Sequence, residues 1–196
     1  MTLVGRSAPN FTAMAVMPDN TVRDNFELAP FIADRMAVLF FYTMNFSYIC
    51  PLELAELNTR IPELQKRKVQ AIAIGVDSHL SHQWFKRLPQ TNGGPGNVQF
   101  PIVSDMSGNI CQGYGVLINE SVPLRATFII DRIGVVRHQS VNDFPLGRNM
   151  DEIIRIVDAQ QHHEKTGEII PPQWQPGKPA LLATPESLME FVRRAA

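Results

Sequence analysis

FFYTMNFSYICPLEL, residues 40–54, closes an apolar run and then sets one of the chain's two cysteines directly before Pro51 and one helical turn ahead of Glu53. Its upstream half belongs to AVLFFY, residues 37–42, a continuous apolar and aromatic run that suits a strand covered on both faces. Downstream, Pro51 suits a first helical position, where a missing N–H costs nothing. Leu52, Leu54, Leu57, Ile61 and Leu64 then recur at helical spacing up to the cations Lys66, Arg67 and Lys68. Cys50 is therefore expected at the N-cap, just past the end of a strand. Unpaired N–H groups and the positive end of the helix dipole there favour a thiolate over a thiol.

A free cysteine is more often a small buried hydrophobe than a nucleophile. The strand-end position, with the polar Ser47 one short loop away, favours chemistry instead. Bringing a thiol from about 8.5 to about 6 requires ~3.4 kcal/mol of differential stabilisation. A helix end supplies about a third of that, so a nearby cation is needed. Arg125, opening a later strand, is the candidate.

Working outward, VQAIAIGV at 69–76 reads as a second buried strand, and DSHLSHQWFKRL as a helix capped by Asp77 or Ser78. This strand–helix alternation predicts a largely parallel sheet with helices on its faces. The glycine-rich TNGGPGN, 91–97, is a loop without a phosphate-binding pattern, and a short helix over Asn109–Tyr114 carries Cys111. RATFIID, 125–131, and VVRHQSV, 135–141, flank a turn and predict an antiparallel hairpin. Asn149 opens a helix that Gly167 stops. Beyond it lies a proline-rich arm, which cannot be sheet or helix interior, ending in a helix capped by Thr184 with Leu188, Met189, Phe191 and Val192 on its apolar side. The arm also carries Ile169, Ile170, Trp174, Leu181 and Leu182, more apolar surface than a disordered tail holds, and is expected to pack on a cover, of which another subunit is one choice.

The bulk figures narrow the function. A length of 196 residues with 44% hydrophobic content suits one domain with an appendage. A net charge of -1 with scattered cations argues against nucleic acid. The N-terminal stretch lacks a signal-peptide pattern, and no window reaches the ~18 apolar residues of a membrane span, so a soluble cytoplasmic protein is expected. The pairs His79/His82 and His162/His163 lack a third metal ligand and read as helix surface.

The same residues resemble the peroxiredoxins, whose signature is Pro-x-x-x-Thr/Ser-x-x-Cys followed by Pro and Glu. The likeness extends through VGRSAPNFTA, GVDSHLSHQWF, GGPG, LRATFIID, NDFPLGRN and the arm, and is closest to the alkyl hydroperoxide reductase C, typical two-cysteine branch. The resemblance implies an α/β thioredoxin-like fold with a central mixed sheet flanked by helices, a peroxiredoxin domain over 1–165, and an arm over 166–196 that packs on a partner. It implies reduction of hydroperoxides by Cys50, with Ser47 hydrogen-bonding the peroxide, Arg125 stabilising thiolate and leaving oxygen, and Glu53 and Arg148 holding Arg125. It implies no cofactor or metal, a homodimer, and a ring of five dimers. Two positions depart from the pattern. Thr43 replaces the signature proline. The arm reads Gly167-Glu168-Ile169-Ile170-Pro171 where the branch has its resolving cysteine. An external thiol (thioredoxin-like, glutaredoxin-like or small) or Cys111 must then reduce the sulfenic acid. A one-cysteine mechanism with Cys111 as core filler is the expectation, against the alternatives of a noncatalytic assembly or holdase chaperone and of a redox sensor.

Overall fold

The computed structural model describes residues 2–195, which divide into two compact units, Met1–Arg148 and Asn149–Ala196. In the first unit the chain runs β1 (Thr12–Val16), β2 (Val22–Glu27), α1 (Leu28–Phe31), β3 (Met36–Phe41), α2 (Cys50–Thr59), α3 (Ile61–Lys66), β4 (Val69–Gly75) and α4 (His79–Arg87). It continues through β5 (Ile102–Ser104), α5 (Asn109–Gly113), a small hairpin of β6 (Leu117–Ile118) and β7 (Val122–Pro123), and then β8 (Arg125–Ile130) and β9 (Val136–Asn142).

Seven strands form one sheet in the order β2-β1-β5-β4-β3-β8-β9. Every residue of β3 is buried, as its unbroken apolar run predicts. Ala37, Leu39 and Phe41 face a core shared with Ile72, Ile74, Phe128 and Tyr114, while Met36, Val38 and Phe40 are buried on the opposite face. The sheet is mixed, as the resemblance implies, rather than largely parallel as strand–helix alternation alone suggests. β3, β4 and β5 run parallel, but β8 lies antiparallel to β3, and β1 antiparallel to β5. The strand–helix alternation holds only between β3 and β5; hairpins supply both flanks, and a hairpin can join only antiparallel neighbours.

The helix expected from Pro51 to the basic cluster breaks at Arg60, and α3 starts afresh with Pro62 at its second position. A proline there has no N–H for the preceding turn, and its ring crowds the carbonyl four residues back. Ser78 caps α4 by accepting the Ser81 N–H at 3.2 Å.

In the second unit, Asn149 Oδ1 accepts the N–H groups of Asp151 and Glu152 at the start of α6 (Met150–Thr166), and Gly167, with φ at 73°, ends it in the left-handed conformation that glycine adopts without strain. The arm contributes one antiparallel bridge between Ile169 and Leu181, and Trp174 is buried with its indole N–H donated to the Lys178 carbonyl at 2.9 Å. The last helix, α7 (Pro185–Ala195), leaves Leu188, Met189 and Val192 exposed.

Candidate active site

The site begins where β3 ends. Tyr42 prolongs the ladder by donating its N–H to Ile74, and its ring lies so close to Gly75 that a Cβ there would sit 2.8 Å from the ring. Its hydroxyl donates to Asn45 Oδ1 at 2.9 Å, and His82 Nδ1 lies 3.1 Å from that hydroxyl and 3.2 Å from Asn45 Oδ1. Asn45 also gives its backbone N–H to Asp77 at 2.8 Å and its side-chain amide to Ser81 at 2.8 Å. Ile74 of β4, Asp77 just after it, and Ser81 and His82 of α4 thus fix residues 42–45, because buried polar groups must be paired. Phe46 takes a left-handed φ of 55° with its ring 5.1 Å from that of Phe85, and the chain then enters α2.

Cys50 is the first residue of α2 rather than its N-cap, which is Ile49. The helix closes one residue earlier because the Glu53 N–H already reaches the Ile49 carbonyl at 3.0 Å, and Ser47 Oγ accepts the Cys50 N–H at 3.3 Å. The sulfur still lies at the positive end of the helix. It is fully buried, with Thr43 Oγ1 at 3.0 Å and Arg125 Nη1 at 3.3 Å.

Sheet topology brings Arg125 there. β8 runs antiparallel to β3 with Ala126 opposite Phe41, so the first residue of β8 emerges beside the loop that follows β3. Arg125 Nε donates to the Phe144 carbonyl at 2.7 Å, and Nη1, besides reaching the sulfur, donates to Glu53 Oε2 at 2.8 Å. Glu53 shares the face of α2 with Cys50, one turn on. It accepts from Arg148 through the backbone N–H, Nε and Nη2, each at 2.9 Å. Arg148 Nη1 donates to the carbonyls of Phe41 and Ala126 at 2.8 Å, and its guanidinium lies 3.2 Å over the Phe40 ring.

The Glu53 and Arg148 side chains and that of Arg125 are nearly inaccessible to water, so two guanidinium charges face one carboxylate. A second anion balances them, and the Cys50 sulfur is the group in place to be it. Burial works against the thiolate, but hydrogen bonds from Ser47, Thr43, the Met44 backbone and Arg125 outweigh it and hold the thiol below its ordinary value. Burial likewise opposes the Glu53 carboxylate, and the Arg148 bonds and charge overcome it.

The structure thus brings Thr43, Ser47, Cys50, Glu53, Arg125 and Arg148 together and leaves Cys111 outside. Cys111 lies fully buried in the apolar core on α5, its N–H donated to Asp105 Oδ2 at 2.8 Å. Burial first, and the Asp105 carboxylate second, push its thiol far above the ordinary range. Among the described residues no three His, Cys, Asp or Glu side chains gather as metal ligands would, and no helix is long and apolar enough to cross a membrane.

His82 corrects the sequence reading, which put it on the helix surface: it is completely buried. Pairing it with His79 obscured the pattern that marks it, for His82, Phe85 and Lys86 at i, i+3 and i+4 form the buried stripe of α4.

With this geometry in view, likeness to known proteins is consistent along the whole chain. Residues 4–139 match the AhpC/TSA family, and residues 159–191 match the C-terminal domain of 1-Cys peroxiredoxin. Alkyl hydroperoxide reductase C of Buchnera aphidicola subsp. Schizaphis graminum is 39% identical, covering 99% of this chain and 98% of its own. That of Helicobacter pylori strain 26695 is 38% identical, covering 97% and 96%. The crystal structure of reduced 2-Cys peroxiredoxin from Plasmodium vivax superposes with a TM-score of 0.95 at 38% identity, over 98% of this chain and all of that one. A thioredoxin-like mixed sheet with a cysteine at the head of α2, matched from end to end by these relatives, makes this chain a member of the AhpC/TSA family of peroxiredoxins.

Proposed function

We propose that this chain is a thiol-dependent peroxidase that reduces hydrogen peroxide and organic hydroperoxides with Cys50 as its single redox cysteine. The observation that carries the reading is the Arg125 guanidinium, shared between the Cys50 sulfur and Glu53 inside a buried group whose charges balance when the sulfur is anionic. In the proposed reaction the thiolate attacks the terminal oxygen of ROOH. An S–O bond forms, the O–O bond breaks, sulfur gives up two electrons and the peroxide takes them. The departing alkoxide or hydroxide takes a proton from solvent and leaves as alcohol or water, and Cys50 is left as the sulfenic acid. Arg125, already aimed at the sulfur, stabilises charge on the leaving oxygen without transferring a proton. Ser47 is assigned to hydrogen-bond the peroxide, and Glu53 with Arg148 to hold Arg125.

Regeneration takes two equivalents of external thiol: one forms a mixed disulfide and releases water, and the second frees Cys50. Ile169 and Ile170 in the arm, and the burial of Cys111 away from the contacts of Cys50, support a reductant from outside the chain, whether thioredoxin-like, glutaredoxin-like or a small thiol. Two unbridged cysteines accord with the cytoplasm. In the same reading residues 1–165 form the peroxidase domain, and the arm over 166–196, with Leu188, Met189 and Val192 exposed, covers a partner in a homodimer that can build into a ring of five dimers.

Peroxide consumption with dithiothreitol as reductant tests the proposal. The wild type turns over, Cys50→Ser does not, and mass spectrometry after one equivalent of peroxide finds one added oxygen at Cys50. Turnover by Cys50→Ser would refute it and assign the chemistry to another group, and a wild type inert to peroxide would refute it and favour the chaperone reading. A mixed disulfide through Cys50 with poor turnover would favour a sensor.

A further inference from the structure

Thr43 stands closer to the Cys50 sulfur than Arg125 does. Its Oγ1 lies 3.0 Å away, while Arg125 Nη1, divided between sulfur and carboxylate, stands at 3.3 Å from the first and 2.8 Å from the second. Thr43 is itself buried, and its hydroxyl makes no other hydrogen bond among the described residues. A hydroxyl both donates and accepts, whereas a thiolate only accepts, so against an anionic sulfur the proton in this contact belongs to threonine. The residue stands at the head of the Thr43-x-x-x-Ser47-x-x-Cys50 signature, where a proline would offer no hydroxyl.

We propose that Thr43 is a catalytic residue whose hydroxyl donates to the Cys50 thiolate, holding more sulfur in the anionic form at neutral pH while making each thiolate a weaker nucleophile. The inference rests on the peroxidase reading and assigns a role within the same site. The electron pair that accepts the Thr43 proton is drawn away as the S–O bond forms, so this hydrogen bond weakens in the transition state. It favours the ground state more than the reaction. The Thr43 loop cannot drift to relieve the contact, because Tyr42 and Asn45 on either side are tied to His82, Asp77 and Ser81.

The test is a thiolate titration by ultraviolet absorbance, with Cys50→Ser as the blank, together with the second-order rate constant for peroxide across pH. Wild type is compared with Thr43→Val, Thr43→Pro and Thr43→Ser. Loss of a hydrogen bond to a charged acceptor is expected to raise the titration midpoint of the Val and Pro variants by about 1 pH unit. If attack on peroxide has the sensitivity to basicity seen when thiolates attack disulfides, the same variants gain about threefold in rate constant on the alkaline plateau. On the acid side, about tenfold less thiolate, reacting about threefold faster, leaves a net loss of about threefold. Thr43→Ser retains both wild-type values. A site merely damaged by substitution loses rate on both sides and produces no crossing. An unchanged midpoint in both Val and Pro, or a Ser variant that behaves like Val, would overturn the proposal. Since the titration needs no peroxide, an inert wild type with shifted midpoints would refute the peroxidase reading alone.

Discussion

Acid should loosen this fold through His82. The imidazole is fully buried, its Nε2 meets no hydrogen-bond partner, and burial lowers its pKa from 6.5 to about 4, against the opposing pull of the Gly75 and Val103 carbonyls. A base whose folded value is depressed binds its proton more readily in the unfolded chain, so stability rises with pH between the two values. The contribution is complete above about 6.5, the unfolded value, and is lost as pH falls toward about 4. With those two values, His82 removes about 2 kcal/mol by pH 5 and about 3 kcal/mol by pH 4, relative to neutral pH. The assay is guanidinium unfolding followed by tryptophan fluorescence at pH 7.5, 6 and 5, on wild type and His82→Gln. The variant forgoes the contacts to Tyr42 and Asn45 at every pH, so its absolute stability is not the readout. The readout is the difference between the two proteins, which should shrink by about 2 kcal/mol from pH 7.5 to pH 5. A difference constant over that range would show that His82 is protonated as easily in the fold as outside it, and would refute the reasoning.

Two further outcomes follow from the buried charges and thiols. Glu53→Gln removes the carboxylate between two buried guanidinium groups and turns an amide donor toward donors. It should cost about 3–5 kcal/mol in denaturant unfolding and, by freeing Arg125 from its place at the sulfur, lower kcat/KM for peroxide by about 10–100-fold. Cys111→Ala, in the core and remote from the proposed chemistry, should cost about 1–2 kcal/mol of stability and leave peroxide turnover with dithiothreitol unchanged. Loss of turnover in that variant would assign Cys111 a redox role.

The elements that could be read from the sequence are those whose causes are local. The unbroken apolar run of β3, the Ser78 and Asn149 caps, the stop at Gly167 and the placing of Cys50 one turn before Glu53 each depend on neighbours within a few residues. The family signature added that these pieces surround a reactive thiol. Local patterning failed where distance decided. The 125–141 hairpin was legible in its turn, but strand–helix alternation could not reveal that β8 lies antiparallel to β3 and β1 antiparallel to β5, because strand direction depends on partners far along the chain. Pro62 interrupted a spacing that remained helical in hydrophobicity. The stripe of His82 with Phe85 and Lys86 is legible in the sequence, but the partners of its imidazole, Tyr42 and Asn45, lie far earlier in the chain. Local pattern is enough to place a cysteine at the head of a helix that follows a buried strand. The surroundings of its sulfur come from long-range pairing, since Arg125 lies 75 residues beyond Cys50 and Arg148 lies 95 residues beyond Glu53. No local propensity encodes contacts at such separations; the sheet brings the segments together, and the burial of two guanidinium groups makes their pairing with anions obligatory.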